Sequence, residues 1–252
     1  MNTTQNNLDK RTGRTEQRSK AAGRILKASG DAFTLIELLV VIGIIALLAG
    51  LIVGLSAYTG RKLRESRIRA ELDQLVTAIE AYHARFNQYP PDNVVSRNPL
   101  VVNPVTNSLF YELSGVIVEP NNKFHLPNRT QQFSASTVQT FFNTDGFVNA
   151  GANAREIKPC ASFKSSQHKA IAALPADIEL LAVPVDWPSN DPRFPPPFNS
   201  PDPNVKRINP WRYVSTQPTN NPASFDLWAE YVEGAKVRVI CNWSRNILER
   251  GQ

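Results

Sequence analysis

Glu37 is the only charged residue in an apolar run that extends from Phe33 to Leu55. As a helix with a rise of about 1.5 Å per residue, this run would be roughly 34 Å long, enough to cross the ~30 Å hydrocarbon core of a membrane. A carboxylate among apolar side chains needs a cationic partner, because an unpaired charge is costly there. The pattern predicts a membrane-spanning helix whose carboxylate has a partner. The alternative is a signal-anchor helix in which Glu37 simply lies near the headgroups.

The residues around Glu37 form a more specific motif, AFTLIELLVVI at residues 32–42. This string resembles the N-terminal processing motif of type IV prepilins and type II secretion pseudopilins, although Ala32 stands where that family usually has glycine. The resemblance implies that a prepilin peptidase cuts between Ala32 and Phe33 and methylates the new amine of Phe33. It also implies that Glu37 neutralises the N-terminal amine of a neighbouring subunit during assembly. A carboxylate is favourable at this place because a helix N-terminus and a free ammonium are both positive.

The segment before the motif, residues 1–32, is a polar and basic leader. It contains seven basic and three acidic residues, so it carries +4 of the net charge of +6. The remaining chain is nearly neutral, which gives no support to nucleic-acid binding. The positive leader favours a cytoplasmic N-terminus, but basic residues also follow the apolar run, at Arg61, Lys62, Arg64, Arg67 and Arg69, so the orientation is taken from the processing motif. The resemblance implies a single pass through a bacterial inner membrane and a periplasmic C-terminal domain.

The helix is expected to continue beyond the apolar run. Residues 33–57 would form the transmembrane and assembly helix, and residues 58–89 an amphipathic helix that enters the globular domain. Apolar residues spaced by three and four positions line a single face of the amphipathic helix. They are Ile68, Leu72, Leu75, Ile79, Tyr82 and Phe86. In the assembly helix, Ala46, Gly50 and Gly54 recur every four residues, a pattern that lets helix backbones approach closely.

Residues 90–252 are predicted to form a periplasmic β domain. Two alternating runs around Glu233-Gly234-Ala235 indicate a C-terminal hairpin. The proline-rich segment 184–222 is interpreted as a surface loop or lid, with a flexible linker as the alternative. The expected fold class is α+β and pilin-like: a long N-terminal α-helix, transmembrane in its first half, packed on a small C-terminal antiparallel β-sheet with long loops.

Two further kinds of site are suggested by the residue types. The resemblance to major pseudopilins suggests a Ca²⁺ site built from oxygen ligands; the candidate ligands are Asp186, Asp191, Asp202 and Asp226, and the alternative is that they are solvated or cap turns. Cys160 and Cys241 would close a loop of roughly 80 residues if they were bonded, and two unpaired thiols are the alternative. No motif for catalysis or for a zinc site is present, so an enzyme is not expected.

These patterns together predict a structural protein. The first hypothesis is a pilin-like subunit of a type II secretion pseudopilus or a type IV pilus, polymerised through its N-terminal helix to support protein secretion. Its partners would be other copies of the subunit, the prepilin peptidase, a secretion assembly platform and the membrane. The second hypothesis is a non-polymerising, membrane-anchored periplasmic binding protein. The patterns do not separate a major from a minor subunit, and they do not identify the cargo.

Overall fold

The computed structural model describes residues 33–172 and 178–250, so the predicted leader lies outside the described residues. The chain divides into two compact units, Met1–Ile52 and Val53–Gln252. The boundary between the units falls within the first helix.

Helix α1 extends over 52 residues, Leu35–Phe86. It ends at Asn87, which adopts a left-handed conformation with φ 56°. The amide of Asn87 donates a hydrogen bond of 2.8 Å to the carbonyl oxygen of His83. A left-handed asparagine after the last helical residue is a common helix stop, and Pro90 follows three residues later, where the chain no longer continues the helix.

The residues after α1 form short strands and short helices. The helices are α2 (Leu109–Ser114), α3 (Ala135–Phe142) and α4 (Pro203–Lys206). The first eight strands are β1 (Asn93–Arg97), β2 (Leu100–Asn103), β3 (Val116–Val118), β4 (Lys123–His125), β5 (Phe133–Ser134), β6 (Ala150–Gly151), β7 (His168–Ala172) and β8 (Ile178–Leu181). The last four are β9 (Arg212–Val214), β10 (Asp226–Glu233), β11 (Lys236–Cys241) and β12 (Ser244–Arg250).

Within the described ranges these strands form four sheets. Two are simple pairs, β1-β2 and β7-β8, and two have four strands, in the orders β5-β4-β3-β6 and β12-β11-β10-β9. Only β3 and β6 run parallel among the described pairs. The predicted C-terminal hairpin is confirmed, because β10 pairs antiparallel with β11 from Trp228↔Cys241 to Glu233↔Lys236. Gly234 lies in its two-residue turn at φ 62°, a conformation that favours glycine.

The apolar face predicted for the second half of α1 is buried in the core of the Val53–Gln252 unit. Its buried members are Ile68, Leu72, Leu75, Ile79 and Tyr82, and Phe86 packs against them while partly exposed. The same core includes side chains from α2, β8, β9 and β10. Elements from distant parts of the sequence therefore share one core with this face of α1.

The proline-rich segment 184–222 is more than a surface loop. It contains α4 and β9, and five of its large apolar side chains are buried: Trp187, Phe194, Ile208, Trp211 and Tyr213. The indole nitrogen of Trp187 donates hydrogen bonds to the carbonyl oxygens of Phe194 and Pro195, at 3.2 and 3.1 Å. Buried aromatic residues therefore order a segment that lacks helical periodicity.

The predicted fold class, α+β and pilin-like with one small C-terminal sheet, is wrong. Strands occur along the described chain from residue 93 to residue 250, and they form four sheets. The strands between residues 93 and 181 are two to five residues long. Segments this short contain too few alternating positions to produce a recognisable strand pattern, which is why these sheets were not expected.

The predicted transmembrane span is also wrong, because no helix in the described part of the chain is both long and apolar enough to cross a membrane. The predicted single-pass localisation in an inner membrane, with a cytoplasmic leader and a periplasmic domain, depended on this span and is corrected with it.

Truncation of the buried face of α1 should destabilise the protein. Ile79 is fully buried, so we expect Ile79→Ala to lower the free energy of unfolding by about 2–5 kcal/mol through lost burial and the remaining cavity. Chemical denaturation followed by circular dichroism measures this change. The exposed Glu80, one position along the helix, provides the control: Glu80→Ala should stay within about 0.5 kcal/mol. An equal loss in both variants would contradict the burial of this face.

Candidate assembly site

Glu37 lies in the first turn of α1 and forms a capping box with Thr34. The backbone amide and the hydroxyl of Thr34 donate hydrogen bonds to Oε2 of Glu37, at 3.0 and 2.8 Å. In return the amide of Glu37 donates to the hydroxyl oxygen of Thr34 at 3.2 Å. These bonds satisfy amides at the helix start that have no partner within the helix. They also fix the orientation of the carboxylate.

The capping box favours the ionised form of Glu37. The hydrogen bond from the backbone amide of Thr34, and next the bond from its hydroxyl, lower the pKa of the Glu37 carboxyl. Both bonds go to Oε2, and Oε1 accepts none from the described residues. The site therefore presents one oriented oxygen with negative charge at the start of an apolar helix.

The helix that follows Glu37 has an exposed apolar surface. Leu35 is 81% exposed and Leu47 67% exposed. The other large apolar residues exposed between positions 33 and 51 are Phe33, Ile36, Leu38, Leu39, Val40, Val41, Ile42, Ile44, Ile45, Leu48 and Leu51. A contiguous apolar surface of this extent is unusual on a monomeric soluble protein and marks an interaction site.

Two of the three small residues predicted to mediate helix contacts lie in this exposed stretch. Ala46 is exposed, and a Cβ atom added at Gly50 would meet no other atom within 4 Å. Gly54 falls in the stretch 52–57, whose side-chain surroundings lie outside the described residues. Ala32, on the leader side of the predicted cleavage point, also lies outside them.

Two of the candidate Ca²⁺ ligands form surface ion pairs. Oδ2 of Asp186 lies 2.7 Å from Nη2 of Arg207, and Oδ2 of Asp191 lies 2.6 Å from Nη2 of Arg193. The Arg193 side chain, followed by the Arg193 backbone amide, lowers the pKa of the Asp191 carboxyl. Both carboxylates already have a cationic partner.

The other two candidates stabilise turns. Asp202 is the N-cap of α4 and accepts a hydrogen bond of 2.8 Å from the amide of Asn204. Asp226 is buried and accepts bonds from the amides of Asn220 and Asn221 and from the side-chain amide of Asn220, at 2.9–3.0 Å. No group of three or more metal-binding side chains forms within residues 33–172 and 178–250, so the structure does not bring the four aspartates together.

The two cysteines are free thiols. Cys241 is buried in β11, and Cys160 is partly exposed, with Sγ donating a 3.4 Å hydrogen bond to the carbonyl oxygen of Lys158. Burial is the main reason that the pKa of each thiol is raised. Of the two alternatives considered from the sequence, the structure contains the unpaired thiols.

A buried carboxylate that the sequence did not reveal connects α1 to the sheet region. Glu112, in α2, is only 1% exposed. Its Oε2 accepts hydrogen bonds from the hydroxyl of Tyr82 at 2.8 Å and from the amide of Asn149 at 3.0 Å, and its Oε1 accepts one from the amide of Val148 at 3.0 Å. Burial raises the pKa of Glu112, and the three donors counteract this effect only partly.

Glu71 on α1 should make stability depend on pH. Partial burial raises the pKa of Glu71 to about 7, against the opposing charges of Arg67 and Lys164. Because folding raises this pKa, the stability that Glu71 contributes is complete below the unfolded-state value near 4.5 and is lost as the pH rises through 7. The full shift would correspond to about 3 kcal/mol, and since Glu71 is only partly buried and solvent screens its charge, we expect about 1 kcal/mol.

The matching experiment compares Glu71→Gln with the unmodified chain by chemical denaturation at several pH values. The difference in the free energy of unfolding between Glu71→Gln and the unmodified chain should grow in favour of Glu71→Gln from pH 5 to pH 8, because the amide has no proton to lose. The control Glu80→Gln on the same helix should change nothing across this range. An unchanged difference between pH 5 and pH 8 would contradict the raised pKa.

The described structure brings together Thr34, Glu37 and the exposed apolar surface of residues 33–51. It does not assemble the four aspartates or join the two cysteines. Comparison with family models, with curated proteins and with solved structures gave no match for this chain.

Proposed function

We propose that this chain is a structural subunit of a filament of the type II secretion pseudopilus or type IV pilus class. In this proposal a prepilin peptidase cuts between Ala32 and Phe33, and the subunits polymerise through the N-terminal half of α1. The observation that carries the proposal is a continuous exposed apolar helical surface that starts at one oriented carboxylate.

The apolar surface supplies the driving force for assembly. Complete burial of a leucine, isoleucine or valine side chain contributes about 1.5–3 kcal/mol, and more than ten such side chains are exposed between residues 33 and 51. Ala46 and Gly50 would let neighbouring helix backbones approach closely. Repetition of one head-to-tail contact that does not close on itself produces a helical filament.

Glu37 would set the register of that contact. Cleavage before Phe33 creates a free amine, and in the filament this amine would pair with Glu37 of the adjacent subunit. The capping box leaves Oε1 of Glu37 available among the described residues. Since the surrounding helices exclude water, the attraction between the two charges is stronger than it would be in solution.

The work done by such a protein is mechanical. Growth of the filament would push exported proteins or extend a fibre, and the required partners are other subunits, the prepilin peptidase and an assembly platform. Catalysis does not enter this proposal.

Mass spectrometry of the N-terminus of the protein purified from a strain that contains the peptidase tests the proposal. We expect a chain that begins at methylated Phe33. Ala32→Arg should block the cut, because a large charged side chain replaces the small residue at the cleavage point. A purified protein that still begins at Met1 and stays monomeric would refute the proposed function.

A further inference from the structure

A cleft of about 500 Å³ lies in the Val53–Gln252 unit and shares no residue with the assembly site. Its apolar lining includes Phe110 from α2, Phe163 and Leu126, and its polar lining includes Arg129 and the side chain of His168 from β7. This volume is typical of small-molecule sites, which combine apolar walls with a few polar groups. The sequence showed no motif that joins these residues.

Aromatic rings form one wall of the cleft. The Phe110 ring stacks on the imidazole of His168, with centroids 4.6 Å apart and planes at 24°. The ring of Phe163 lies 5.9 Å from that of Phe110. Phe110 is buried and Phe163 is partly buried, so the rings are held in place by the core. Such a wall favours a flat apolar group.

The polar side of the cleft is organised by a carboxylate behind it. Glu179 on β8 does not line the cleft, but its Oε1 lies 2.8 Å from Nη1 of Arg129. Its Oε2 lies 3.2 Å from Nδ1 of His168. The hydroxyl of Tyr111 accepts a 2.9 Å hydrogen bond from the amide of Glu179 and anchors this end of β8. Arg129 and His168 thus compensate the charge of Glu179, which lies behind the cleft. The residues that line the cleft itself are the arginine and the histidine.

The imidazole of His168 has one nitrogen directed away from the cleft. It is 9% exposed, and its Nδ1 faces Oε2 of Glu179 at 3.2 Å. Arg129 is 39% exposed and uses one of its nitrogens on Glu179, so the guanidinium has further N–H donors for an anion.

We propose that this cleft binds a small aromatic carboxylate. The ring of the ligand lies against the aromatic wall beside His168, and its carboxylate accepts hydrogen bonds from the guanidinium of Arg129. An aromatic amine of the same shape is excluded, because its ammonium would face the guanidinium. This binding is independent of filament assembly and uses none of the residues of the assembly site.

NMR of the full-length chain with isotope-labelled histidine, kept in a non-ionic detergent, tests the proposal with benzoate as the probe. Benzoate up to about 10 mM covers the millimolar range expected for so small a ligand. We expect saturable shifts of the His168 ring signals, while the rings of His83 and His125, which do not line the cleft, respond weakly or not at all. Benzylamine, the cationic control, should give no saturable shift.

Variants assign the anion contact. Arg129→Gln should weaken benzoate binding at least tenfold, and Arg129→Lys, which keeps the charge toward Glu179, should weaken it several-fold. Arg207→Gln removes an exposed, ion-paired arginine elsewhere and should leave binding unchanged. Titration of the unmodified chain is enough to overturn the proposal: either benzoate gives no saturable shift, or benzylamine binds equally well. Full binding by a folded Arg129→Gln protein would overturn the proposed contact.

Discussion

Glu37→Val should leave cleavage before Phe33 intact and reduce filament assembly at least tenfold. Valine keeps the helix apolar but removes the carboxylate that would neutralise the new amine of an adjacent subunit. A positive amine without a partner is unfavourable between packed helices. Each subunit contact therefore becomes weaker, and a polymer multiplies this loss over many contacts.

Cysteine crosslinking measures this assembly. Ala46→Cys and Gly50→Cys place two thiols on the exposed stretch of the helix, and Cys160→Ser removes the partly exposed native thiol. With two thiols, each subunit can be linked to two neighbours, so oxidation of this triple variant should give a ladder of multimers that disappears when Glu37→Val is added. Glu65→Val, which removes another carboxylate of α1, one paired with Lys62, should keep the ladder.

A further variant separates pairing from capping. Thr34→Ala disrupts the capping box but leaves the Glu37 carboxylate in place. If Glu37 acts through a neighbouring amine, Thr34→Ala should assemble far better than Glu37→Val. Equal defects in the two variants would mean that Glu37 only caps its own helix, and the register role would then be abandoned.

Glu112→Ala should lower the free energy of unfolding by about 3–5 kcal/mol. The substitution leaves the hydroxyl of Tyr82 and the amides of Val148 and Asn149 without their acceptor in a buried place. Each buried donor without a partner costs about 1–3 kcal/mol, and relaxation and entering water recover some of this loss. Chemical denaturation in detergent, followed through the core tryptophans, measures the effect.

Two milder variants check the cause. Tyr82→Phe removes one donor together with its bond, so we expect a loss of about 1 kcal/mol. Glu112→Gln keeps the shape of the side chain and one acceptor oxygen. Its loss in the free energy of unfolding should lie between those of Tyr82→Phe and Glu112→Ala. A loss below about 1 kcal/mol for Glu112→Ala would show that the carboxylate does not hold these elements together.

Some of these features could be predicted because they depend on near neighbours in the chain. The spacing of Ile68, Leu72, Leu75 and Ile79 indicated the buried face of α1, since a helix returns to the same side after three or four residues. The hairpin of β10 and β11 was predicted for the same reason: alternation and a glycine in the turn act within about 20 residues.

Patterns of the same kind also misled. The apolar run that starts at Phe33 predicted a membrane span, which the described helices do not support. The four aspartates were grouped only by residue type and by resemblance. In the structure each one is satisfied by a nearby arginine or amide.

The amino-acid sequence by itself determined the cleavage-like motif, the apolar periodicity of α1 and the C-terminal hairpin, because each depends on spacing within one element. Only the tertiary structure decided that the Glu112 carboxylate accepts hydrogen bonds from Tyr82 and Asn149. It also decided that Glu179, behind a cleft, forms an ion pair with Arg129, which lines that cleft. These partners are separated by 30 residues or more along the chain. Their pairing follows from burial, which leaves each polar group to be satisfied by whatever the packed elements bring beside it.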